Sequence, residues 1–329
     1  MVRSTMVRSR SSAAAQRIPK SRKNGIICLR ISRFIVVPIT MKHARLRIFV
    51  AGTGFTGSRI LTQLSLAGHQ VVGMNRSGSC AELESSLSLV AGDVLESDGL
   101  DALKTLEPFD LMISTLSGSS LRDPEAYRSL YVDGPRRLAE ALNWKKDPMV
   151  WTLGSTGVYG EENGEWVREE TPARPPHKKG QVQLDAEKAL HTSVPNSTVL
   201  RLSGLYGPGR TRLVRQALRK RPYFKSEMWS NQIHGDDVAG VVRQLVERED
   251  SPPPVLLVSD DHPTQRNEIF DWVREQLNAP DGVYDEDHPH AKGANRGNKR
   301  ISNRLLRELG IELKYPSYRE GLRASGVLN

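Results

Sequence analysis

The chain has few cysteines and no long apolar run. Cys28 and Cys80 are its only cysteines, so neither a disulfide framework nor a metal site built on paired cysteines is expected. The apolar stretch at residues 31–39 is short, and Arg30 and Arg33 interrupt its approach, so a membrane span is not expected. These absences indicate a soluble protein in a reducing compartment.

Acidic residues are missing from the first 47 residues, which contain nine Arg and three Lys. The remainder of the chain has 35 basic and 38 acidic residues, so the net charge of +9 comes from this leader. A nucleic-acid-binding domain needs a basic face of its own. No nucleic-acid partner is therefore expected for the body of the protein.

Residues 1–46 are predicted to be a disordered basic leader. Their Arg- and Ser-rich composition is typical of an organelle transit peptide. Alternatively, Met41 lies just ahead of the first predicted strand, so the upstream part is an over-called start. The expected location is the cytoplasm, or an organelle stroma or matrix if the leader is a transit peptide.

A glycine motif follows the first predicted strand at residues 48–51. Gly52, Gly54 and Gly57 have the G-x-G-x-x-G spacing, which permits a sharp turn, close approach to a pyrophosphate, and helix–strand packing. Phe55 and Thr56 open the helix that follows, whose amino terminus attracts phosphate. The stretch predicts a dinucleotide site.

The second predicted strand, residues 70–75, completes a βαβ unit and ends at Asn75 and Arg76. Sites that prefer NAD usually place an acid here for the ribose 2′-hydroxyl, whereas a guanidinium suits a 2′-phosphate. NADP is therefore the expected cofactor, with NAD and a solvated Arg76 as the alternative.

Two more predicted strands contribute residues to the same sheet edge. Asp93 and Val94 end the third strand, where Asp93 either bonds the adenine or simply forms a turn. Leu116 ends the fourth strand, and a polar loop at residues 117–120 follows. Loops at the carboxyl ends of parallel strands bind ligands.

The middle of the chain places two polar side chains near that edge. Helical spacing predicts a helix over residues 124–143, kinked by Pro135, with Asp133 beside its apolar face. Ser155 follows the fifth strand, residues 148–153, in a small-residue loop. Residues 161–179 are predicted to be an irregular excursion before a helix at residues 181–191.

The overall pattern predicts an α/β fold, a Rossmann-type doubly wound parallel sheet with a smaller C-terminal substrate lobe. The NADP-binding domain spans residues 47–205 and is completed by about residues 231–260. The substrate lobe comprises residues 206–230 and 261–329, with helices around residues 269–277 and 301–309.

Several motifs occur in an order that resembles the extended short-chain dehydrogenase/reductase superfamily, of the NAD(P)-dependent epimerase/dehydratase type. They are Gly52-x-Gly54-x-x-Gly57, Gly92-Asp93, Ser155 to Gly160, Leu200-Arg201 before Tyr206-Gly207-Pro208-Gly209, and Asn231 to Asp237. The resemblance implies that Ser155 bonds the reacting carbonyl or hydroxyl, and that Tyr159, Tyr206 and Arg210 contact substrate.

The chain departs from that family at its acid/base pair, Tyr-x-x-x-Lys. The resemblance places Lys179 at the tyrosine position and Gln183 at the lysine position. Asp133 stands where the family usually has Asn. Ser155, Asp133 and Lys179 are therefore the catalytic candidates, and the nearest resemblance is to an atypical subgroup whose substrates are generally unassigned.

Three other clusters are left out of the predicted site. The charged run at residues 285–290 is interpreted as solvated surface, so no metal is expected. His234 is interpreted as part of a docking turn. The basic residues Arg296, Lys299 and Arg300 are compatible with either an anion site or a solvated surface.

The sequence thus predicts an NADP-binding oxidoreductase or epimerase/dehydratase-like enzyme acting on a small polar molecule. The alternative is a non-catalytic module that senses or binds NADP and has lost the Tyr/Lys pair. A homodimer is left open, and no membrane partner is expected.

Overall fold

Thirteen strands and nine helices are found in the computed structural model, which describes residues 45–81, 83, 86–96, 98–118, 123–219, 228–284 and 297–328. The described strands are β1 (Arg47–Ala51), β2 (Gln70–Asn75), β3 (Ser88–Ala91), β4 (Leu111–Ser114), β5 (Val150–Ser155), β6 (Glu165–Val167), β7 (Ser197–Leu202), β8 (Gly204–Tyr206), β9 (Trp229–Ser230), β10 (Gln232–His234), β11 (Val255–Val258), β12 (Thr264–Gln265) and β13 (Lys299–Ile301). The described helices are α1 (Phe55–Leu66), α2 (Pro124–Arg128), α3 (Gly134–Ala141), α4 (Lys178–Ser193), α5 (Arg212–Ala217), α6 (Gly235–Val246), α7 (Arg266–Gln276), α8 (Arg304–Glu308) and α9 (Tyr318–Ala324).

Seven of these strands form one sheet in the order β11-β7-β5-β4-β1-β2-β3. All six pairs of neighbours are parallel. The predicted doubly wound sheet is therefore confirmed. The chain order reverses between β1 and β4, and ligands of such sheets bind in the crevice at that point, outside the carboxyl ends of the strands.

The central strand β1 is covered on both faces, which explains its unbroken apolar run. Ile48 and Val50 belong to a cluster with residues of α1 and α6. Phe49 and Ala51 belong to a second cluster on the other face, where the Phe49 and Phe109 rings meet edge to face at 5.3 Å. Since successive side chains of a strand alternate between faces, four consecutive apolar residues are needed.

The helix predicted over residues 124–143 is interrupted. Helix α2 continues into a π turn at Ser129–Asp133, where the Gly134 N–H donates to the carbonyl of Ser129, and α3 then follows. Pro135 has no N–H for an α-helical bond to the carbonyl of Tyr131. The predicted kink is therefore a widened turn, and such turns frequently occur at functional sites.

Two local expectations for the second half were wrong. Lys179 lies in the first turn of α4, not in an irregular loop. Ile301 lies in β13, not in a helix, and β13 pairs with β6 inside the segment predicted to be irregular. This pairing joins segments more than 130 residues apart, so no local pattern could indicate it.

The turn at residues 231–237 holds the later part of the chain against the main sheet. Asp237 accepts hydrogen bonds from the backbone N–H groups of Lys314, at 2.6 Å, and Tyr315. His234 is buried between the Tyr206 and Tyr315 rings, and burial lowers its pKa to about 4. These contacts support docking as the role of His234.

Some expectations lie outside the described residues. These include the leader up to residue 44, the charged run at residues 285–290, Arg296 and the end of the polar loop at residues 119–120. The division into a domain of residues 47–205 with residues 231–260, and a lobe of residues 206–230 and 261–329, stays a prediction. In the described part of the chain, no helix has both the length and the apolar composition needed to cross a membrane.

Replacing Gly57 with alanine tests the contact between α1 and β1. A Cβ at residue 57 would lie 1.8 Å from the Gly52 carbonyl oxygen, so we expect Gly57→Ala to lower the free energy of unfolding by about 3 kcal/mol. Gly240→Ala, inside α6, is the control. A Cβ at residue 240 would have Gln63 as its nearest neighbour, at 3.9 Å. The control should gain about 0.5–1 kcal/mol. Urea unfolding measures the free energy of unfolding of both variants. If the two substitutions changed it equally, the close contact between Gly57 and the Gly52 carbonyl would be contradicted.

Candidate functional site

The glycine turn after β1 is shaped by close backbone approach. Gly52 has φ +96°, and a Cβ there would meet Thr115 Oγ1 at 2.9 Å. A Cβ at Gly57 would strike the Gly52 carbonyl, whereas a Cβ at Gly54 would meet nothing within 4 Å. The first and third glycines are therefore required by the protein's own packing, and the second leaves open space beside the turn.

Two polar side chains fix this turn. Thr115 Oγ1 donates to the Gly52 carbonyl at 2.8 Å. Asn75 Nδ2 donates to Thr53 Oγ1 at 2.5 Å and to the Ser79 carbonyl at 2.8 Å. Asn75 was predicted from the end of β2. Thr115 was missed, although a hydroxyl directly after a buried parallel strand is a signal that could have found it.

An open cleft of about 250 Å³ lies at the point where the strand order reverses. We call it the glycine cleft, and its lining residues are Gly52, Gly54, Met74, Asn75, Arg76, Gly92, Asp93, Val94, Leu95, Thr115, Leu116, Ser117 and Leu130. Seven of the ten predicted cofactor residues are among them. The structure therefore brings most of that prediction together at one place.

The other three, Phe55, Thr56 and Gly57, lie in the first turn of α1 outside this lining. The Phe55 ring contacts two guanidinium groups, with Arg59 4.0 Å and Arg210 5.4 Å from its centroid. The Phe55 side chain is thus used in packing, and any contact of this turn with a ligand would come from its backbone.

The edge of the glycine cleft carries Arg76 and Asp93. Arg76 is exposed, and its side chain makes no ion pair or hydrogen bond within the described part of the chain. Asp93 Oδ1 accepts the Leu95 N–H at 3.0 Å, which is the turn-forming role that the sequence left open.

The glycine cleft fits a dinucleotide. Gly54 faces open space where a side chain would fill the cradle, and no side chain caps the amino terminus of α1. An uncapped helix terminus presents N–H groups and a partial positive charge to a phosphate. The cradle and the Arg76 cation both suit an anionic ligand.

A second cleft of about 350 Å³ lies beyond the carboxyl end of β5. We call it the basic cleft, and it is lined by Thr156, Gly157, Gly204, Leu205, Arg210, Arg212, Leu213, Gln216, Met228, Trp229, Ser230, Asn231, Gln232, Arg266, Gly297 and Lys299. Four of these described residues are cations and none is an acid. The composition favours an anionic ligand.

Lys299 was left outside the predicted site, and the structure places it in the basic cleft. It is 7% exposed, and its Nζ donates to the Tyr159 carbonyl at 2.7 Å. Burial lowers the pKa of Lys299. Arg210, which was predicted to contact substrate, lies in the same lining, and Arg212 and Arg266 join it.

The three catalytic candidates occupy different positions. Ser155 ends β5, and its Oγ accepts the Gly157 N–H at 3.0 Å, next to the residues that open the basic cleft. Lys179 is exposed, with Nζ 4.9 Å from the centroid of the Tyr127 ring. Asp133 lies in the π turn, and its side chain makes no hydrogen bond within the described residues.

Tyr159 is fully buried, so the structure does not support its predicted contact with substrate. Its hydroxyl accepts a hydrogen bond from Arg201 Nη1, and burial raises its pKa. Arg201 in turn pairs with Glu187 at 2.6 Å, where both side chains are less than a tenth exposed. This buried group supports the sheet edge from behind, because a Cβ at Gly154 would lie 3.1 Å from Glu187.

Tyr206 is also buried, at 1% exposure, and its hydroxyl donates to the Ser317 carbonyl at 3.3 Å. Its predicted contact with substrate is likewise not supported. In the motifs that contain Tyr159 and Tyr206, the tyrosine is thus a packing position near the carboxyl edge of the main sheet.

The family model described as the NAD dependent epimerase/dehydratase family matches residues 48–256, which is more than half of the chain. The chain belongs to this family. The match includes the glycine turn, Ser155 and at least part of every strand of the main sheet, ending within β11, and the membership agrees with the resemblance drawn from the motifs.

Several solved structures share the fold. A protein from Methylobacillus flagellatus, provisionally assigned as an NAD-dependent epimerase/dehydratase, is 29% identical with a TM-score of 0.72, over 86% of this chain and 98% of that chain. A conserved protein of unknown function from Silicibacter pomeroyi DSS is 28% identical with a TM-score of 0.60, over the same shares of 86% and 98%. MoeE5, solved with UDP-glucuronic acid and NAD, is 26% identical with a TM-score of 0.65, over 85% of this chain and 97% of MoeE5. No curated protein matches the chain.

Removing the Glu187 charge tests the buried support behind the carboxyl end of β5. Glu187→Gln would leave Arg201 buried without its counter-ion, so we expect a loss of about 3–5 kcal/mol in the free energy of unfolding. Glu308→Gln is the control, because its pair with Arg304 is exposed and should contribute less than about 0.5 kcal/mol. Urea unfolding measures both. If Glu187→Gln were as stable as the control, the Glu187–Arg201 pair would make no contribution to the free energy of unfolding.

Proposed function

We propose that the protein is an NADP-binding enzyme of the epimerase/dehydratase or reductase type, and that its substrate is a small anionic molecule of the sugar-nucleotide class. The observation that carries the proposal is the pairing of two clefts at one sheet edge. The glycine cleft follows β1 and β4, and the basic cleft begins directly after β5. Since β4 and β5 are neighbours, the two ligands would meet beside Ser155.

The glycine cleft supports the cofactor part of the proposal. The Gly54 cradle and the uncapped end of α1 would hold the pyrophosphate, and Arg76 would pair with a 2′-phosphate. A nicotinamide dinucleotide supplies a hydride acceptor or donor when it is bound. The turn itself is held by Thr115 and Asn75, so the cradle is formed before any ligand arrives.

The basic cleft supports the substrate part. Its cations would bind a diphosphate, and Ser230, Asn231 and Gln232 provide polar groups for a sugar or base. MoeE5, which is similar over nearly its whole length, was solved in complex with UDP-glucuronic acid and NAD. This similarity, together with the cations, favours a sugar nucleotide over a neutral carbonyl compound.

Ser155 is the proposed contact to the reacting oxygen. Its Oγ accepts the Gly157 N–H, so its own hydroxyl proton is available for donation to a substrate oxygen. Ser155 directly precedes Thr156 and Gly157, which line the basic cleft. Ser155 would orient the substrate and polarise its carbonyl or hydroxyl.

Cofactor binding is tested by titration calorimetry with NADP⁺ and NAD⁺. We expect the protein to bind NADP⁺ and Arg76→Ala to weaken that binding by about 1.5–3 kcal/mol, the contribution of a charged hydrogen bond. Binding of NAD⁺, which lacks the 2′-phosphate, should be nearly unchanged. Arg136→Ala is the control, because Arg136 pairs with Glu140 on the exposed side of α3. Equal losses for the two cofactors would remove the preference for NADP, and no binding of either would end the proposal.

Substrate class is tested with UDP-glucose and UDP-glucuronic acid added to the NADP⁺-saturated protein. Arg212→Ala should weaken their binding about tenfold or more, because one cation of the basic cleft is lost. Arg215→Ala removes a cation from the same helix outside that cleft and should change binding less than about twofold. If Arg212→Ala and Arg215→Ala weakened nucleotide binding equally, these ligands would bind outside the basic cleft.

A second candidate is a non-catalytic module that binds NADP. It is favoured by the replacement of the expected tyrosine and lysine on α4 with Lys179 and Gln183. Such a module would bind the cofactor, and its basic cleft would bind neither nucleotide. The two titrations therefore separate the candidates.

A further inference from the structure

Lys299 is held in the basic cleft by a different part of the fold from the other cations. Arg212 on α5 and Arg266 on α7 come from helices that pack together in one apolar cluster, and Arg210 lies two residues before α5. Lys299 comes instead from β13, and its Nζ donates to the Tyr159 carbonyl, in the segment that follows β5. The cleft therefore presents positive charge from two separate supports.

The Tyr159 carbonyl lies one short turn beyond Ser155. A 3₁₀ turn at Thr156–Val158 separates the two residues, and the Tyr159 N–H closes it by donating to the first carbonyl of the turn at 3.3 Å. Gly157, in the middle of this turn, donates its N–H to Ser155 Oγ and lines the cleft together with Lys299. Lys299 is thus bonded to the segment that carries the proposed contact to the reacting oxygen.

The Lys299 ammonium is buried, and no carboxylate is bonded to it in the described part of the chain. It has three N–H groups, and the bond to the Tyr159 carbonyl uses one of them. Burial lowers the pKa of Lys299, and the charge of Glu161 partly opposes this. No ion pair joins the two among the described residues, and Glu161 Oε2 has no hydrogen-bond partner there. Since buried charges are costly unless paired, an anion on a ligand would stabilise this ammonium more than a neutral group would.

A glycine lies beside the ammonium. Gly297 lines the basic cleft with φ +68°, and a Cβ there would lie 2.9 Å from Lys299 Nζ. Any other residue at position 297 would place a side chain against the ammonium. The glycine leaves the space beside Nζ free of a side chain of its own, on a wall of the cleft.

We propose that Lys299 is a specificity-determining residue that binds a carboxylate on the reacting part of the substrate, so that the substrate is a sugar nucleotide whose sugar is a uronic acid. This rests on the proposed function, because it assigns the diphosphate to the arginines around α5 and α7 and a second anionic group to Lys299. The two N–H groups that Tyr159 does not use would donate to the carboxylate oxygens as charged hydrogen bonds. A hydroxymethyl group in the same place would leave the ammonium without a counter-ion.

UDP-glucuronic acid and UDP-glucose test the proposal, because they differ only at C6 of the sugar, which is a carboxylate in the first and a hydroxymethyl group in the second. Titration calorimetry with the NADP⁺-saturated wild-type protein should show about tenfold or more tighter binding of UDP-glucuronic acid, the effect of one charged hydrogen bond. Lys299→Met should reduce this ratio to less than about twofold, and should change the affinity for UDP-glucose less than about threefold.

Three further variants complete the test. Lys299→Gln keeps an N–H donor for the Tyr159 carbonyl without the charge, so it should behave like Lys299→Met, and it serves if that variant does not fold. Arg212→Ala should weaken both nucleotides by the same factor and keep the ratio, because Arg212 is assigned to the diphosphate. Lys104→Met is the surface control. Lys104 is exposed and pairs with Asp101 on its own turn, so this change should alter neither affinity.

Equal affinity of the wild-type protein for the two nucleotides would overturn the role of Lys299 and leave the proposed function standing. The same conclusion would follow if the Lys299 variants kept the wild-type ratio. It would also follow if they weakened both nucleotides equally, because Lys299 would then only hold the segment at Tyr159 in place. A protein that binds neither nucleotide would remove the substrate part of the proposed function, and this inference with it.

Discussion

The approach of two backbone segments at Gly52 and Gly57 is the constraint on which the rest of the site depends. Because the third glycine touches the carbonyl of the first, α1 begins directly against the end of β1. Thr115 then reaches across from β4 to the same carbonyl. These contacts fix the point where the strand order reverses, and all further functional groups are arranged around it.

Functional groups reach this point from separate elements. Strand β5 of the main sheet ends at Ser155, and the cations of the basic cleft come from later parts of the chain, between Arg210 and Lys299. Buried groups hold each contributor in place. The Glu187–Arg201 pair holds the carboxyl end of β5 from behind. Asp237 holds the segment at Lys314 and Tyr315 against the main sheet. Stability and ligand geometry are thus maintained by the same contacts.

The sequence predicted the main sheet and the glycine cleft, because apolar runs and glycine spacing are local signals. It was less informative about side chains whose surroundings depend on distant partners. Tyr159 and Tyr206 were assigned to substrate, but Arg201 and Ser317 bond their hydroxyls in the interior. Lys299 was set aside, yet the pairing of β13 with β6 carries it into the basic cleft. Such long-range contacts leave no periodic pattern.

The position of Phe55 links the two clefts. Its ring contacts both Arg59 on α1 and Arg210, and Arg210 also belongs to the wall of the basic cleft. A ligand that draws Arg210 away uncovers one face of the residue that starts the cofactor helix. Occupancy of either cleft would then alter affinity at the other by the same factor, as thermodynamic linkage requires. Through this one aromatic side chain, a displacement of Arg210 in the basic cleft would be felt at the start of α1.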